Sequence, residues 1–196
     1  MNGNKTYSFL SDKSINLKLI IGKRIDEILA VEHNFILERH SSENKLENHY
    51  RFSFDSSRIY IYLEDFGTLA FASQGSDHRS LVVAHLLESP SMETIAQDLR
   101  IDEPFTITRA DDTIYSEAYF ASFLGTNVIK IETIQAHEAG RRGARRNERG
   151  LRITNDKGHS LIIGWKVQRA PLPPGMCIIK PDQMNTTPGL FSFHEI

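Results

Sequence analysis

The chain has 196 residues, a net charge of −2 and a hydrophobic fraction of 40%. This is the composition of a folded globular protein, and its near-neutral charge argues against a nucleic-acid binder held by overall positive charge. The single cysteine, Cys177, excludes an intramolecular disulfide, and its apolar neighbours predict a buried side chain. The N-terminus lacks the pattern of a signal peptide, and no window is apolar enough for a membrane helix. We therefore expect a cytoplasmic protein with no membrane partner.

Two segments of the chain are alike, each a short apolar stretch that ends at a glycine before a strand. The glycines are Gly22 and Gly125, and apolar residues follow each of them at the third and sixth positions. Each half then contains a strand, a turn with an aspartate two residues before a glycine, and a returning strand. The turns, residues 64–67 and 155–158, are typical of a type I turn closed by a glycine with positive φ. The pattern predicts two β-hairpins of one design.

Further elements are predicted after and between these hairpins. A third strand follows each hairpin, over residues 80–85 and 175–180. A short helix is predicted over residues 90–99, with Ser91 as its N-cap, and a second over residues 116–123. In both helices the apolar residues fall on one side, as expected of helices that face a core.

These elements predict an α+β, β-rich fold with two related antiparallel β halves, an internal duplication, and short helices between them. Residues 1–90 are assigned to the first β-rich half, and residues 91–196 to the helical connection and the second half. The chain is long enough for one large domain or for two small fused ones, and either could bury a core. We expect the two halves to pack as one compact unit.

The densest charge cluster lies between two predicted strands, residues 128–134 and 151–154. Its five arginines fall within nine residues and are Arg141, Arg142, Arg145, Arg146 and Arg149. Guanidinium groups bind carboxylates and phosphates through paired hydrogen bonds, so these residues are the candidate partner-binding site. A solvated hairpin tip, an acidic protein surface and nucleic acid or phosphate remain alternatives. Nucleic acid is the least favoured because no aromatic residue for base stacking lies near.

Neither a catalytic motif nor a metal-ligand motif is found in the sequence. No Gly-x-Ser-x-Gly segment is present, and the eight histidines do not pair at the spacing of a helical zinc site. Aspartates bond readily to their own nearby backbone, so Asp65, Asp111, Asp112 and Asp156 are interpreted as turn formers. No catalytic residue, metal or cofactor is therefore predicted.

Two features keep other functions open. An enzyme or small-ligand-binding protein could assemble its site from distant residues, with His85 or His137 meeting carboxylates in a cleft. Aromatic residues alternate along two predicted strands, with one face expected in the core and tyrosines of the other face available as a binding surface. These aromatic residues are Tyr50, Phe52, Phe54, Tyr60 and Tyr62.

The segments ending at Gly22 and Gly125, together with the Asp-x-Gly hairpins, resemble small bacterial immunity proteins that neutralise toxins of polymorphic or contact-dependent inhibition systems. The resemblance implies cytoplasmic binding of a toxin domain and transfers no functional residue. Inhibitors of basic nucleases are expected to be strongly acidic, whereas this chain is nearly neutral, and its arginine cluster would suit an acidic toxin surface. The sequence thus favours a non-enzymatic protein-binding module over an enzyme and leaves the partner and the oligomeric state open.

Overall fold

The computed structural model describes residues 8–10, 16–33, 52–53, 58–74, 81–87, 105–137, 148–170 and 176–196. Within these ranges the chain forms eleven β-strands, one short α-helix and two 3-10 helices. The strands are β1 (Ser8–Phe9), β2 (Ile25–His33), β3 (Arg58–Leu63), β4 (Gly67–Gln74), β5 (Leu81–Leu87), β6 (Phe105–Arg109), β7 (Val128–Ala136), β8 (Glu148–Asn155), β9 (Ser160–Trp165), β10 (Met176–Ile179) and β11 (Phe191–Glu195). The helices are α1 (Ala118–Ala121) and the 3-10 helices Leu17–Ile20 and Pro181–Gln183.

The strands form two antiparallel sheets, as the sequence predicts. The first sheet has the order β1-β5-β4-β3-β2-β6, and the second has the order β10-β9-β8-β7-β11. Apart from the two-residue strand β1, both sheets have the same design. Four strands follow one another as a meander, and a fifth strand returns to pair beside the first strand of that meander. The β-rich, antiparallel character of the prediction is confirmed.

The fifth strands are the elements that the sequence patterns did not predict. β5 and β6 both belong to the first sheet. The expected boundary between the two halves, at residues 90 and 91, therefore separates two strands of one sheet. β6 and β11 each pair with a strand far back along the chain, and local periodicity carries no signal of which strand is the partner. The helix expected over residues 116–123 is present as the shorter α1, whereas the one expected over residues 90–99 lies outside the described residues.

One hydrophobic core is shared by the two sheets. The inward side chains of β2 to β4 and of β7 to β10, together with Ala84 of β5, belong to a single buried cluster. The helical segment at the start of each half contributes two side chains to it, Leu17 and Ile20 in the first half and Phe120 and Phe123 in the second, all at most 1% exposed. Burial of an apolar side chain of this size contributes about 1.5 to 3 kcal/mol, so the helical segments are anchored by the core.

Each sheet also buries apolar side chains on its outer face, the one turned away from the shared core. On the first sheet this cluster includes Val31 and Tyr60, which is 1% exposed and so does not supply the tyrosine binding surface considered above. On the second sheet it includes Cys177, Ile162 and Met184. Cys177 is fully buried, as the sequence predicts.

The two glycine-ended segments lie side by side and exchange backbone hydrogen bonds. The amide of Gly22 donates to the carbonyl oxygen of Val128 at 2.7 Å, and the amide of Gly125 donates to that of Ile25, also at 2.7 Å. The amides of Ile25 and Val128 return bonds of 2.8 and 2.9 Å to the opposite segment. Both glycines have positive φ, 85° and 73°, a conformation that glycine adopts without steric cost.

The two hairpin turns differ from one another, contrary to the prediction of one design. The expected positive φ is found at Gly67 and Gly158. In the second turn Gly158 is the last of three loop residues, and the Asn155 amide closes the loop on the carbonyl oxygen of His159 at 2.9 Å. In the first turn Gly67 already begins β4, and Asp65 has positive φ as well. If the two hairpins are aligned at Gly67 and Gly158, their strand pairings are therefore offset from one another by one residue.

Candidate functional site

Strand β11 is the last strand of the second sheet, and no other described strand pairs with its outer side. The His137 amide donates to the Leu190 carbonyl at 2.9 Å, and the Ile196 amide donates to the Ile131 carbonyl at 3.3 Å. Residues of an antiparallel strand alternate in whether their backbone groups face the neighbouring strand. The register with β7 therefore turns the N–H and C=O groups of the odd-numbered residues away from β7. These residues are Phe191, Phe193 and Glu195, and their outward groups have no hydrogen-bond partner among the described residues.

The side chains of these three residues lie on the outer face of the second sheet. Phe191 packs against the outer-face cluster. Ile196 is even-numbered, so its side chain points to the opposite face, where it packs against the shared core. Phe193 is 38% exposed, and the Glu195 side chain is 71% exposed. We call the outward backbone groups and side chains of Phe191, Phe193 and Glu195 the β11 edge. A sequence signal was available, since residues 191–195 alternate apolar and polar side chains as a half-buried strand does.

Strand β6 is the counterpart of β11 in the first sheet. The Ala110 amide donates to the Ile28 carbonyl at 3.0 Å, which turns the backbone groups of Phe105, Ile107 and Arg109 away from β2. The two edges share the order aromatic, polar, apolar, polar and charged, but the final charge is positive in β6 and negative in β11. Arg109 is paired with Glu27 at 2.6 Å and with Asp111 at 3.1 Å.

A network of charged side chains lies beside the β11 edge. Glu132, on β7, is 7% exposed and receives hydrogen bonds on both carboxylate oxygens. Nε and Nη2 of Arg152 each lie 2.6 Å from Oε2, and Nζ of Lys130 lies 3.1 Å from Oε1. The Arg152 guanidinium is also 4.1 Å from the ring centroid of Phe193, a cation–π contact. The ion pair and the exposed edge are therefore in direct contact.

The surroundings of Glu132 hold its carboxyl group in the charged form. Burial by itself raises the pKa of a carboxyl group, but the hydrogen bonds and positive charges of Arg152 and Lys130 outweigh burial, so the pKa of Glu132 is lowered. A carboxyl group whose pKa is lower in the folded than in the unfolded state stabilises the fold above its unfolded pKa, about 4.3. That contribution is lost as the pH falls through the folded pKa.

The Glu132→Gln variant should therefore differ most from the native protein near neutral pH. We expect the difference in free energy of unfolding to be full above about pH 5 and to shrink as the pH falls through the lowered pKa of Glu132. Urea unfolding of both proteins across this range measures the difference. A difference that stays constant with pH would mean that the charge of Glu132 adds nothing to stability.

A cavity of about 310 Å³ opens on the outer face of the second sheet. Arg152 and Ile162 line it from the sheet, Phe191 and Phe193 from β11, and Pro181 and residues 184–189 from the segment that follows β10. In that segment, the backbone amide of Asn185 donates a hydrogen bond to the carbonyl oxygen of Val167 at 2.8 Å. This bond connects the lining segment to the residues that directly follow β9. We call this space the Arg152 cavity.

Of the five arginines predicted to bind a partner, the structure describes one. Arg149 lies within β8 and is 9% exposed. It is not on an exposed loop, because β8 begins at Glu148, three residues before the predicted strand start at Leu151. The other four, Arg141, Arg142, Arg145 and Arg146, lie outside the described residues, and their role in binding stays a prediction.

The predicted turn-forming role of aspartate is seen at Asp112. Its Oδ1 accepts hydrogen bonds from the amides of Ile114 at 2.8 Å and Tyr115 at 3.0 Å. Asp156 acts differently. Its Oδ2 accepts hydrogen bonds from the amide and the side chain of Asn127 at 3.1 and 2.8 Å, which links the second hairpin to the segment that follows Gly125. In that hairpin the side chain that bonds its own turn is Asn155, which accepts from the amides of residues 157 and 159.

Among the described residues, a histidine ring lies near a hydroxyl group at two places, His194 with Ser192 on β11 and His159 with Ser122. Nδ1 of His159 lies 3.2 Å from Oγ of Ser122, but that hydroxyl donates to the Tyr119 carbonyl at 2.6 Å. Its hydrogen is thus committed to the backbone. Among the described residues no group of three His, Cys, Asp or Glu side chains is placed to hold a metal ion. The side chain of His137 is exposed, and that of His85 is outside the description.

Comparison with known proteins identifies no relative. No family model matches the chain, and no curated protein and no solved structure matches it. Among the described residues, no helix has the length and apolar character needed to cross a membrane. The arguments for function therefore rest on the chain's own residues.

Proposed function

We propose that this chain is a non-enzymatic protein-binding module that takes up an extended segment of its partner along the β11 edge. The supporting observation is the row of outward N–H and C=O groups at Phe191, Phe193 and Glu195. An unpaired edge of this kind is a template for one more strand. Strand addition gains affinity from main-chain hydrogen bonds and specificity from alternate side chains.

The side chains of the β11 edge indicate what the added strand would carry. Residues on the same face of neighbouring strands interact directly, and aromatic–apolar and opposite-charge pairs are favourable. An apolar side chain beside Phe193 and a basic side chain beside Glu195 are therefore expected in the partner segment. Arg141, Arg142, Arg145 and Arg146 fall between β7 and β8 in the sequence, and we propose that they contact an acidic part of the same partner.

We further propose that the partner is a bacterial toxin domain and that binding takes place in the cytoplasm. The support is the resemblance of the Gly22 and Gly125 segments and the Asp-x-Gly hairpins to immunity proteins. An inhibitor that docks on a toxin needs a rigid scaffold and an accessible contact surface, and the β11 edge beside a shared core supplies both.

We also infer that this is an α+β protein that arose by internal duplication. Three observations support duplication: the shared strand order of the sheets, the matched hydrogen bonds at Gly22 and Gly125, and the matched alternation of β6 and β11. Duplication would give each sheet an equivalent open edge. The opposite charges of Arg109 and Glu195 would then let the two edges prefer different partners.

The edge proposal is tested by a pull-down of the tagged protein from the lysate of its own organism. We expect one stoichiometric protein partner, read by mass spectrometry, and at least about a ten-fold loss of that partner with Phe193→Lys, because a charge on an edge strand opposes strand addition. Alanine at Arg141, Arg142, Arg145 and Arg146 should make the remaining binding less sensitive to salt.

Ile114→Lys is the matched control, since Ile114 is an apolar residue that is 60% exposed on a turn. It adds the same charge away from the β11 edge and should retain the partner. Equal melting temperatures of both variants establish that each is folded. Recovery of no partner contradicts the protein-binding proposal, and equal recovery with Phe193→Lys contradicts the choice of edge.

A further inference from the structure

The Arg152 cavity has the composition of a small-ligand site. Its volume of about 310 Å³ lies at the lower end of the range for such sites, about 300 to 1,000 Å³. Much of its lining is apolar, from Ile162, Met184, Phe191 and Phe193. Ligand pockets combine such apolar walls with a few polar groups that fix orientation. Arg152 and Asn185 are two polar residues of the lining. The hydrogen bonds that they already make within the protein determine which of their N–H donors a ligand can use.

Arg152 retains hydrogen-bond donors that the protein does not use. Its Nε and Nη2 atoms bind Glu132 through the same oxygen, and its Nη1 has no protein partner among the described residues. Guanidinium groups often bridge two acceptors because their five N–H donors lie in one plane. A second acceptor can bind Arg152 while the pair with Glu132 remains intact.

Asn185 also has a hydrogen-bond donor that a ligand can use. Its Oδ1 accepts hydrogen bonds from the backbone amide of Thr187 at 3.0 Å and from the Thr187 hydroxyl at 2.7 Å. Two donors on Oδ1 fix the orientation of the carboxamide, so its NH₂ group is the part left to bind a ligand. No protein acceptor for that NH₂ group is found among the described residues.

The charged group that lines the cavity is a guanidinium. Lys130 and Arg152 carry two positive charges and Glu132 and Glu195 carry two negative charges. The side chains of Lys130 and Glu195 are 43% and 71% exposed, so water screens the charges of both. An incoming carboxylate therefore meets a positive guanidinium and a neutral NH₂ donor.

From this arrangement we propose that the Arg152 cavity binds a small carboxylic acid with an apolar body. The carboxylate accepts hydrogen bonds from Arg152 and Asn185, and the apolar part packs between Phe193, Ile162 and Met184. The site shares Phe191 and Phe193 with the β11 edge, but its test uses the chain alone, so the outcome does not depend on the proposed protein-binding function.

The probe for this site is 3-phenylpropionate, with the uncharged 3-phenylpropan-1-ol as its matched analogue. Amide chemical shifts of the isotope-labelled full chain report both the site and the affinity during titration. We expect shifts at residues 185–187, Gly189 and Phe193, and binding of the acid at least about ten-fold tighter than of the alcohol, the effect of one charge-assisted hydrogen bond.

Asn185→Asp is the informative variant. An aspartate keeps the acceptor that Thr187 uses, so the turn is retained, but it replaces the NH₂ donor with a negative charge. Affinity for 3-phenylpropionate should fall at least about ten-fold, while the binding of the alcohol is unchanged. Asn16→Asp is the control, because Asn16 is exposed and does not line the cavity.

The outcomes separate the proposal from its alternatives. Equal affinity for acid and alcohol would overturn the recognition of a carboxylate. Shifts confined to other parts of the chain, or no saturable shifts at all, would overturn the site itself. Weaker binding of the acid by Asn16→Asp, to the same degree as by Asn185→Asp, would assign the effect to overall charge and also overturn the proposal.

Discussion

Replacing Arg152 with methionine should lower the free energy of unfolding by about 3 kcal/mol or more, the range measured when one partner of a buried ion pair is removed. Glu132 is 7% exposed and, among the described residues, would keep only Lys130 as a charged partner. The carboxylate would then lose both hydrogen bonds to Oε2. Urea unfolding at neutral pH measures the loss.

The double variant Glu132→Gln with Arg152→Met distinguishes the cost of an unpaired buried charge from the cost of lost packing. Because this variant has no unpaired carboxylate, it should recover most of the stability lost by Arg152→Met, since replacing a whole buried pair is often close to neutral. Arg24→Met is the exposed control: Arg24 pairs with Asp26 and Glu64 at the surface, and its removal should barely move the melting temperature. A double variant as unstable as Arg152→Met would contradict the ionic explanation.

Replacing Gly150 with alanine should cost about 3 kcal/mol, at the upper end of the usual cost of overpacking. A Cβ atom at this position would lie 2.3 Å from the carbonyl oxygen of Ile163 and 3.0 Å from Cα of Gly164. Both atoms belong to the backbone of the paired strand β9, so no side-chain rotation relieves the contact. The strands must separate locally, and thermal or urea unfolding should report the loss.

Gly189→Ala is the matched control for this substitution. A Cβ atom at Gly189 meets no atom within 4 Å, and only the positive φ of 76° opposes it, at a cost of about 1 to 2 kcal/mol. Gly150→Ala should be clearly the less stable of the two. If the order is reversed, the close approach of β8 and β9 at Gly150 is not what makes glycine necessary.

Local features of the fold were predicted well from the sequence. The strands at residues 59–63 and 151–154 follow from alternation of side chains, and the positive φ values at Gly67 and Gly158 follow from the turn pattern. Cys177 was expected to be buried and is. Each of these depends on residues within a few positions of one another, where backbone sterics and side-chain spacing act directly.

The candidate sites were less accessible to sequence reasoning. The arginine cluster drew attention because its charges are adjacent in the sequence, but its last member, Arg149, is buried in β8. Glu132 and Arg152 lie twenty residues apart and become neighbours only through the register of β7 and β8. Register depends on bulges and turn lengths, and the pairing of β7 with β8 contains two register shifts that no local pattern predicts.

The sequence by itself determined that the chain is β-rich, where its hairpins turn and where glycine is required at Gly22 and Gly125. Tertiary structure alone decided that β6 and β11 return beside β2 and β7, that one core joins both sheets, and that Arg152 opens into a cavity beside Phe193. The physical reason is range: turns and alternation are set by neighbouring residues, whereas strand partners and cavities depend on which distant surfaces bury each other.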